Sequence, residues 1–360
     1  MFGVDGLCSL RWNEASERVE VIDQTVLPHQ LRWIALNTLD DYCHAIAAMQ
    51  VRGAPLIGIT AGFGLAHAIA QDGSDAALEL AHQRLLSTRP TAVNLRWALQ
   101  QVSSAVRPLD PALRPDAAGQ PAPRRRAAAR ATCERIGNHG LPLLQGLARG
   151  ETLNVMTHCN AGWLATVQWG TALAPIYKAH SAGIPVHVWV SETRPRNQGM
   201  HLTAWELQSA GVPFTVVADN GCGQLMQQGM VDCVMVGSDR TAANGDVCNK
   251  IGTYLKALAA RASDIPLYVA LPASTIDWQC ARGDEIPIEE RGAAEVLTVA
   301  GADIDGAMRE VKLVADGVAA HNPAFDVTPA ALVAALITEH GVFQATTDSL
   351  NTLKSQLDVL

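Results

Sequence analysis

Cys159 and Asp239 carry the two reactive groups that stand out along this 360-residue chain. Cys159 lies in the run Thr157-His158-Cys159-Asn160-Ala161-Gly162. Asp239 follows Gly237-Ser238 and opens Asp239-Arg240-Thr241-Ala242-Ala243-Asn244-Gly245-Asp246. A thiol can act as a base, and a carboxyl held in an apolar cleft has a raised pKa and can donate a proton. Taken singly, each has a plainer explanation. A cysteine is most often a small buried hydrophobe, and an aspartate beside an arginine can cap a helix or pair with its neighbour. Asp219 and Asp246 compete for the acid's role on spacing alone. Position favours the thiol, because a helix is predicted over Ala161–Ala182 and amides at a helix N-terminus favour a thiolate. His158 beside it has no second Cys/His pair at ligand spacing, so no zinc site is expected.

The cationic candidates are Arg52, Arg89, Arg194, Arg196, Arg240 and Lys250. Most such residues are solvated surface charges. Arg52 differs, since Arg52-Gly53-Ala54-Pro55 lets the backbone approach a ligand closely just before a helix predicted from about Leu56. An arginine combined with helix-terminal amides is a phosphate-binding arrangement.

Positioning these groups falls to an alternation of apolar runs and helical stretches. Leu153–His158, Ile184–Val190, Pro213–Ala218, Val231–Val236 and Ile265–Leu271 read as strands. Between them, helices are predicted over Ala161–Ala182, Leu202–Ala210, around Leu225–Gln228, and over Asn249–Ala260. Nearly all-apolar strands alternating with helices predict a parallel sheet covered on both faces, a doubly wound, Rossmann-like α/β domain. In such sheets ligands bind beyond the carboxyl ends of the strands. Those ends carry Cys159-Asn160, Ser191-Glu192-Thr193-Arg194, Asp219-Asn220 and Ser238-Asp239-Arg240, which points to one shared cleft.

The first 125 or so residues read differently. Leu10–Trp12 and Arg18–Ile22 suit a hairpin, and helices are predicted near 35–50, 57–70, 75–86 and 91–106. This predicts a smaller, mainly helical N-terminal domain with a small sheet over 1–125, and a Rossmann-like catalytic domain over 126–360. The Pro/Ala/Arg-rich stretch Pro108–Pro123 reads as a linker or surface insertion. Gly62-Phe63-Gly64 lacks the third glycine of a dinucleotide fingerprint and reads as close helix packing.

Composition excludes several classes. Hydrophobic residues make up 48% and net charge is −8, with one dense basic cluster at Arg124-Arg125-Arg126, so nucleic acid is not an expected partner. The eight cysteines form no C-x-x-C pair and do not resemble a disulfide framework. The N-terminus lacks the features of a signal peptide, and no apolar run suggests a membrane span of about 18 residues. A cytoplasmic setting is expected.

Taken together, the long runs resemble the methylthioribose-1-phosphate isomerase family, which shares its fold with the regulatory subunits of translation initiation factor 2B. The resemblance extends from about Arg52 to the C-terminal helix. It rests on Arg52-Gly53-Ala54-Pro55, Arg89-Pro90-Thr91-Ala92-Val93-Asn94-Leu95, the Thr157–Gly162 run, Glu192-Thr193-Arg194-Pro195-Arg196, Gly237–Asp246 with Asn249-Lys250-Ile251-Gly252-Thr253-Tyr254, and Asn322–Pro329. It departs at Ala161-Gly162-Trp163 after Asn160, and at Ser238 and Thr241 around Asp239-Arg240.

The resemblance implies Cys159 and Asp239 as the catalytic pair, and substrate contacts from Arg52, Gly53, Ala54, Arg89, Gln198, Asn249 and Lys250. It also implies a homodimer acting on a small phosphorylated sugar. An aldose phosphorylated at its anomeric oxygen must open its ring with the phosphate attached. Asp239 would assist as acid, and Cys159 would serve as base or support a hydride shift between C2 and C1. Sibling reactions on ribose 1,5-bisphosphate or 5-deoxyribose 1-phosphate differ only at C5, where Met156 and Trp163 are candidate wall residues. A regulatory, non-catalytic protein is the alternative of another class, and a nicotinamide-dependent oxidoreductase lacks its glycine signature here. No metal or organic cofactor is implied, so turnover is expected to survive treatment with a chelator. Loss of activity restored by a divalent cation would reverse that expectation.

Overall fold

The computed structural model describes residues 6–119, 121–149 and 151–357. Three short strands open it: β1 (Leu10–Asn13), β2 (Arg18–Ile22) and β3 (Trp33–Leu36), paired antiparallel in that order. Val19 and Val21 alternate with charged neighbours, and their buried face rests on the helices that follow. These are α1 (Leu39–Ala47), α2 (Ala54–Gln71), α3 (Asp75–Thr88), α4 (Val93–Val106), α5 (Arg114–Gly119) and α6 (Pro121–Leu147).

Helix α2 is apolar all round, and by length and composition it could cross a bilayer. Its apolarity has a local cause. The helix runs through the middle of the bundle, packed by α1, α3, α4 and α5, and most of it is buried. Close packing also accounts for Gly64, where a Cβ would stand 2.9 Å from the Tyr42 side chain.

The stretch Pro108–Pro123 is not a loose linker: α5 and the start of α6 run through it. Pro115 and Pro121 fall in the first turns of their helices, where no backbone donor is required. Arg114, itself buried, locks the turn by donating to the carbonyls of Val106 (3.2 Å), Leu109 (3.1 Å) and Gly73 (3.0 Å) and to Asp75 (2.7 Å).

From β4 (Leu153–Thr157) the chain alternates: α7 (Leu173–Ser181), β5 (Val186–Ser191), α8 (Ala204–Ala210), β6 (Phe214–Val217), α9 (Cys222–Gln227), β7 (Cys233–Val236). A short β8 (Arg240–Ala242) and β9 (Val247–Lys250) lead to α10 (Thr253–Ala262) and β10 (Leu267–Ala270). Then come β11 (Ile276–Asp277), α11 (Ala294–Leu297), the hairpin β12 (Thr298–Ala302) and β13 (Met308–Lys312), β14 (Phe325–Thr328), β15 (Ala335–Thr338), β16 (Gly341–Phe343) and α12 (Thr347–Leu357). The main sheet has seven strands in the order β16-β15-β10-β7-β4-β5-β6, parallel throughout except for β16.

Successive strand residues feed opposite cores, as a pleated strand requires. Val155, Cys233, Met235, Val188 and Val190 pack with Ile136, Ile176 and Leu207 on one face. Met156, Val234, Val236 and Val269 pack with Met226, Ala257 and Leu350 on the other. The chain lays down β4, β5 and β6 in one direction, then returns to place β7 on the far side of β4. The switch point therefore lies between β4 and β7, and Cys159 and Asp239 follow those two strands.

Two predicted helices start later than expected. Residues 160–172 form a compact loop with a single 3₁₀ turn at Trp163–Ala165, so α7 begins only at Leu173. Asn249 and Lys250 close β9, and α10 starts at Thr253 after Gly252, which sits at φ +96°.

Gly64→Ala should destabilise the protein by about 1–3 kcal/mol through overpacking against Tyr42. Gly146→Ala in α6, where a Cβ meets nothing within 4 Å, should stabilise it by up to about 1 kcal/mol. Urea midpoints of opposite sign check the pair; a neutral Gly64→Ala would remove the packing argument.

Candidate active site

Each functional group is delivered by a turn at the head of the sheet. Cys159 leaves β4 in the left-handed region at φ +62°, a strained setting for a side chain with a Cβ. Its amide donates to Thr193 Oγ1 (2.8 Å) and its carbonyl accepts from Thr203 Oγ1 (2.6 Å), which holds that conformation. Asp239 leaves β7 with its amide bonded to the Cys248 carbonyl on β9 (3.0 Å). Its carboxyl accepts no hydrogen bond among the described residues, and Arg240 beside it turns away to pair with Asp277.

Arg52 comes from the opposite wall, immediately before α2. Its guanidinium donates through Nη1 to Asn160 Oδ1 and through Nη2 to the Asn160 carbonyl (2.8 Å). Gly53 needs to be glycine twice over. It sits at φ +91°, and a Cβ there would lie 2.6 Å from that of Ala165.

Arg52, Gly53, Ala54, Cys159, Asp239 and Asn249 line one small cavity of about 30 Å³, together with the apolar Pro55, Ala161, Ala165 and Pro272. That is room for a water or two. A groove of about 1000 Å³ adjoins it and shares Pro55, Thr166 and Pro272.

Burial pushes both reactive groups above their ordinary pKa, the Cys159 thiol and the Asp239 carboxyl alike, while Arg52 and Lys250 pull both down. The Asp239 charge also raises the Cys159 thiol. Two negative charges side by side in this cleft are disfavoured. Burial lowers Lys250, whose Nζ donates to the Ala324 carbonyl (2.8 Å) over the Phe325 ring.

Arg89 lies within the field of Asp239 but is paired with Glu289 (3.2 Å) and does not line the small cavity. Gln198 also stands outside that lining, buried at the start of the π-turn Gly199–Thr203. Both keep spare valence: Arg89 Nε and Gln198 Oε1 are buried with no partner.

Asp219 and Asp246 do not share the raised pKa of Asp239. Burial raises Asp219, but the Ser191 hydroxyl, the Lys256 charge and the Arg194 amide outweigh it and hold the group ionised. Asp246 is likewise held low by amides of Ala330 and Gly283 and by Asn244. The helix-terminus rationale for Cys159 also fails, because no helix follows it directly. Arg52 and Lys250 supply that charge instead.

Met156 and Trp163 do not line the cavity; each is packed in one of the two cores. Arg194 and Arg196 serve structure, donating to the Val296 carbonyl (2.9 Å) and to Glu295 (2.8 Å). Among the described residues no cluster of three or more His, Cys, Asp or Glu could hold a metal.

Two carboxylates lie beneath the site: Asp219, which the sequence offered only as a rival acid, and Glu206, which it did not single out. Asp219 organises the Thr193 and Arg194 amides, and Ser191 links it to His158, whose Nε2 faces the Ile251 carbonyl (2.8 Å). Glu206 lies on the other side of Asn160. Its only signal is that it is the one charged residue of the helix segment Leu202–Ala210.

The fold and residues 50–345 match the initiation factor 2 subunit family, and the chain belongs to it. Its relatives narrow the assignment. A Dechloromonas aromatica protein named methylthioribose-1-phosphate isomerase is 55% identical over 351 residues, covering 96% of this chain and 97% of that one. The crystal structure of 5-methylthioribose 1-phosphate isomerase from Pyrococcus horikoshii OT3 superimposes with a TM-score of 0.83 at 36% identity, covering 97% and 96% of the two chains. A structure from A. fulgidus described as translation initiation factor eIF-2B subunit delta gives 0.77 at 36% identity, over 94% and 96%. Within the family the chain is a member of the methylthioribose-1-phosphate isomerases.

Lys250→Met removes a cation that lowers Cys159. The pH midpoint for iodoacetamide labelling of Cys159, followed on its peptide by mass spectrometry, should move upward. A midpoint equal to that of the parent would detach Lys250 from the thiol.

Proposed function

We propose that the chain is an aldose–ketose isomerase converting 5-methylthioribose 1-phosphate into 5-methylthioribulose 1-phosphate, a step of methionine salvage. Asp239 acts as acid and Cys159 as base. The observation that carries this reading is the meeting of one thiol and one hydrogen-bond-free carboxyl at the switch point, in a cavity lined by Arg52 and within the field of Lys250.

The raised pKa of the Asp239 carboxyl fits the division of labour. With Asp239 protonated, its repulsion of the thiolate vanishes, and Arg52 and Lys250 favour ionised Cys159. Asp239 then gives its proton to the ring oxygen as the C1–O bond opens. Cys159 takes the proton from C2 and returns it to C1, and the 2-hydroxyl proton passes to the Asp239 carboxylate, leaving the ketone with the phosphate intact. A direct hydride shift would use Asp239 in the same way and leave Cys159 to stabilise charge.

Arg52 with Gly53 and Ala54 at the start of α2 suits the phosphate. Arg89, Gln198, Asn249 and Lys250 complete the contacts, and the unpaired Arg89 Nε and Gln198 Oε1 are consistent with ligand bonds yet to be made. A sugar phosphate is larger than the cavity, and the adjoining groove offers the further room it needs. Ala54, Pro55, Ala161, Ala165 and Pro272 give an apolar lining, which favours a methylthio substituent over a second phosphate.

The reading includes a cytoplasmic homodimer of two-domain subunits divided near residue 125. Eight unpaired cysteines suit a reducing compartment, and the exposed Tyr254, Leu255 and Leu258 on α10 suit self-association. The separate core from Leu10 to Ala118 supports the division.

Purified protein is expected to turn over 5-methylthioribose 1-phosphate in preference to ribose 1,5-bisphosphate. Cys159→Ser and Asp239→Asn should each lose roughly 10²- to 10⁴-fold in kcat. In deuterated water, label at C1 marks the proton route, and its absence marks hydride transfer or a shielded proton. No turnover of either sugar would favour the regulatory reading that the A. fulgidus likeness raises.

A further inference from the structure

Glu206 is fully buried on α8, outside the cavity lining, and both of its carboxylate oxygens are bonded. Four donors converge on it. Oε1 accepts from Asn160 Nδ2 (2.8 Å) and the Leu164 amide (2.9 Å). Oε2 accepts from the Trp163 amide (2.8 Å) and the Tyr177 hydroxyl (3.0 Å). Burial raises its pKa to about 7 against those four bonds. A desolvated carboxylate is retained at such a point only where its donors are fixed.

The surrounding sequence makes room for it. At Gly162 a Cβ would collide with the Glu206 carboxylate, and Gly170, at φ +86°, packs its backbone against Gly162. The loop over 160–172 is thereby wrapped around this one side chain.

We infer that Glu206 is the positioning residue of the catalytic pocket, acting on Arg52 through the Asn160 amide. An amide can face either way. Because Glu206 only accepts when ionised, Asn160 must present Nδ2 to it and Oδ1 to Arg52. Thr203 Oγ1, 3.2 Å from Nδ2, reinforces that orientation. Arg52 in turn is a charge that lowers both Cys159 and Asp239. Glu206 therefore touches no reacting atom, yet it sets where the guanidinium sits and how the thiol titrates. The same carboxylate fixes the loop that carries Ala161 and Ala165 in the cavity wall.

This inference rests on the reading of Cys159 and Asp239 given above, and the test separates the two. Glu206→Gln keeps the shape but turns one acceptor into an N–H₂ group facing donors. Arg52 then loses its fixed partner. The pH midpoint of Cys159 labelling should rise, KM for the sugar phosphate should increase, and kcat/KM should fall on the order of 10²-fold. Tyr177→Phe removes one donor remote from Asn160. It should lower Tm while leaving the labelling midpoint and KM at parental values.

Parental midpoint and KM in Glu206→Gln, whatever its Tm, would overturn the proposal and leave Glu206 a purely structural residue. Should that variant not fold, Glu206→Asp withdraws the carboxylate by one methylene with its charge kept. Parental midpoint and KM there would overturn the proposal equally, and a raised midpoint would support it. Labelling is measured without substrate, so it judges Glu206 even if Cys159→Ser retains turnover and the isomerase assignment falls.

Discussion

A guanidinium cannot be buried in an apolar interior without partners, and the arrangement around Arg52 answers that requirement. Its fork is met by both oxygens of Asn160, one on the side chain and one on the backbone. Arg52 precedes the central helix of the N-terminal bundle, and Asn160 follows the central strand of the parallel sheet. The contact therefore joins the helical bundle to the sheet beside Cys159 and the candidate site. Gly53 can press against Ala165 only because this joint is tight.

The same charge then governs its neighbours. Four carboxyl groups lie around the heads of β4, β5 and β7, or just beneath them, and their surroundings sort them. Asp219 and Glu206 are saturated with donors and act as scaffolding. Glu192 supports the Asp219 amide at 3.3 Å. Asp239 has cations nearby but no hydrogen bonds, so burial raises its pKa above the ordinary carboxylate value. Acidity here is assigned by what each carboxyl lacks.

A second network fastens the segment that rims the site. Glu289 ties Arg89 to Arg291, Arg291 pairs with Glu295, and Glu295 takes Arg196 and the Asn322 amide. These groups are partly buried, which makes the pairs stiffer and less screened than ordinary surface bridges. Through Arg89 and Glu289 the rim reaches the field of Asp239.

Local pattern alone determined the class of fold. Apolar runs separated by helices imply a sheet covered on both faces, and chemistry at the strand ends follows from that geometry. It also determined that Cys159 and Asp239 would lie close together. It misjudged residues 160–172, where helical composition gave way to a loop held by Glu206, and Pro108–Pro123, where helix propensity and the Arg114 side chain overrode prolines. Tertiary structure decided the rest. Which aspartate has its pKa raised, which arginines face the site, and which buried glutamate meets Asn160 all depend on contacts between segments far apart in the chain. Charge and hydrogen-bond energies at a buried site are set by such neighbours, and no spacing along the chain encodes them.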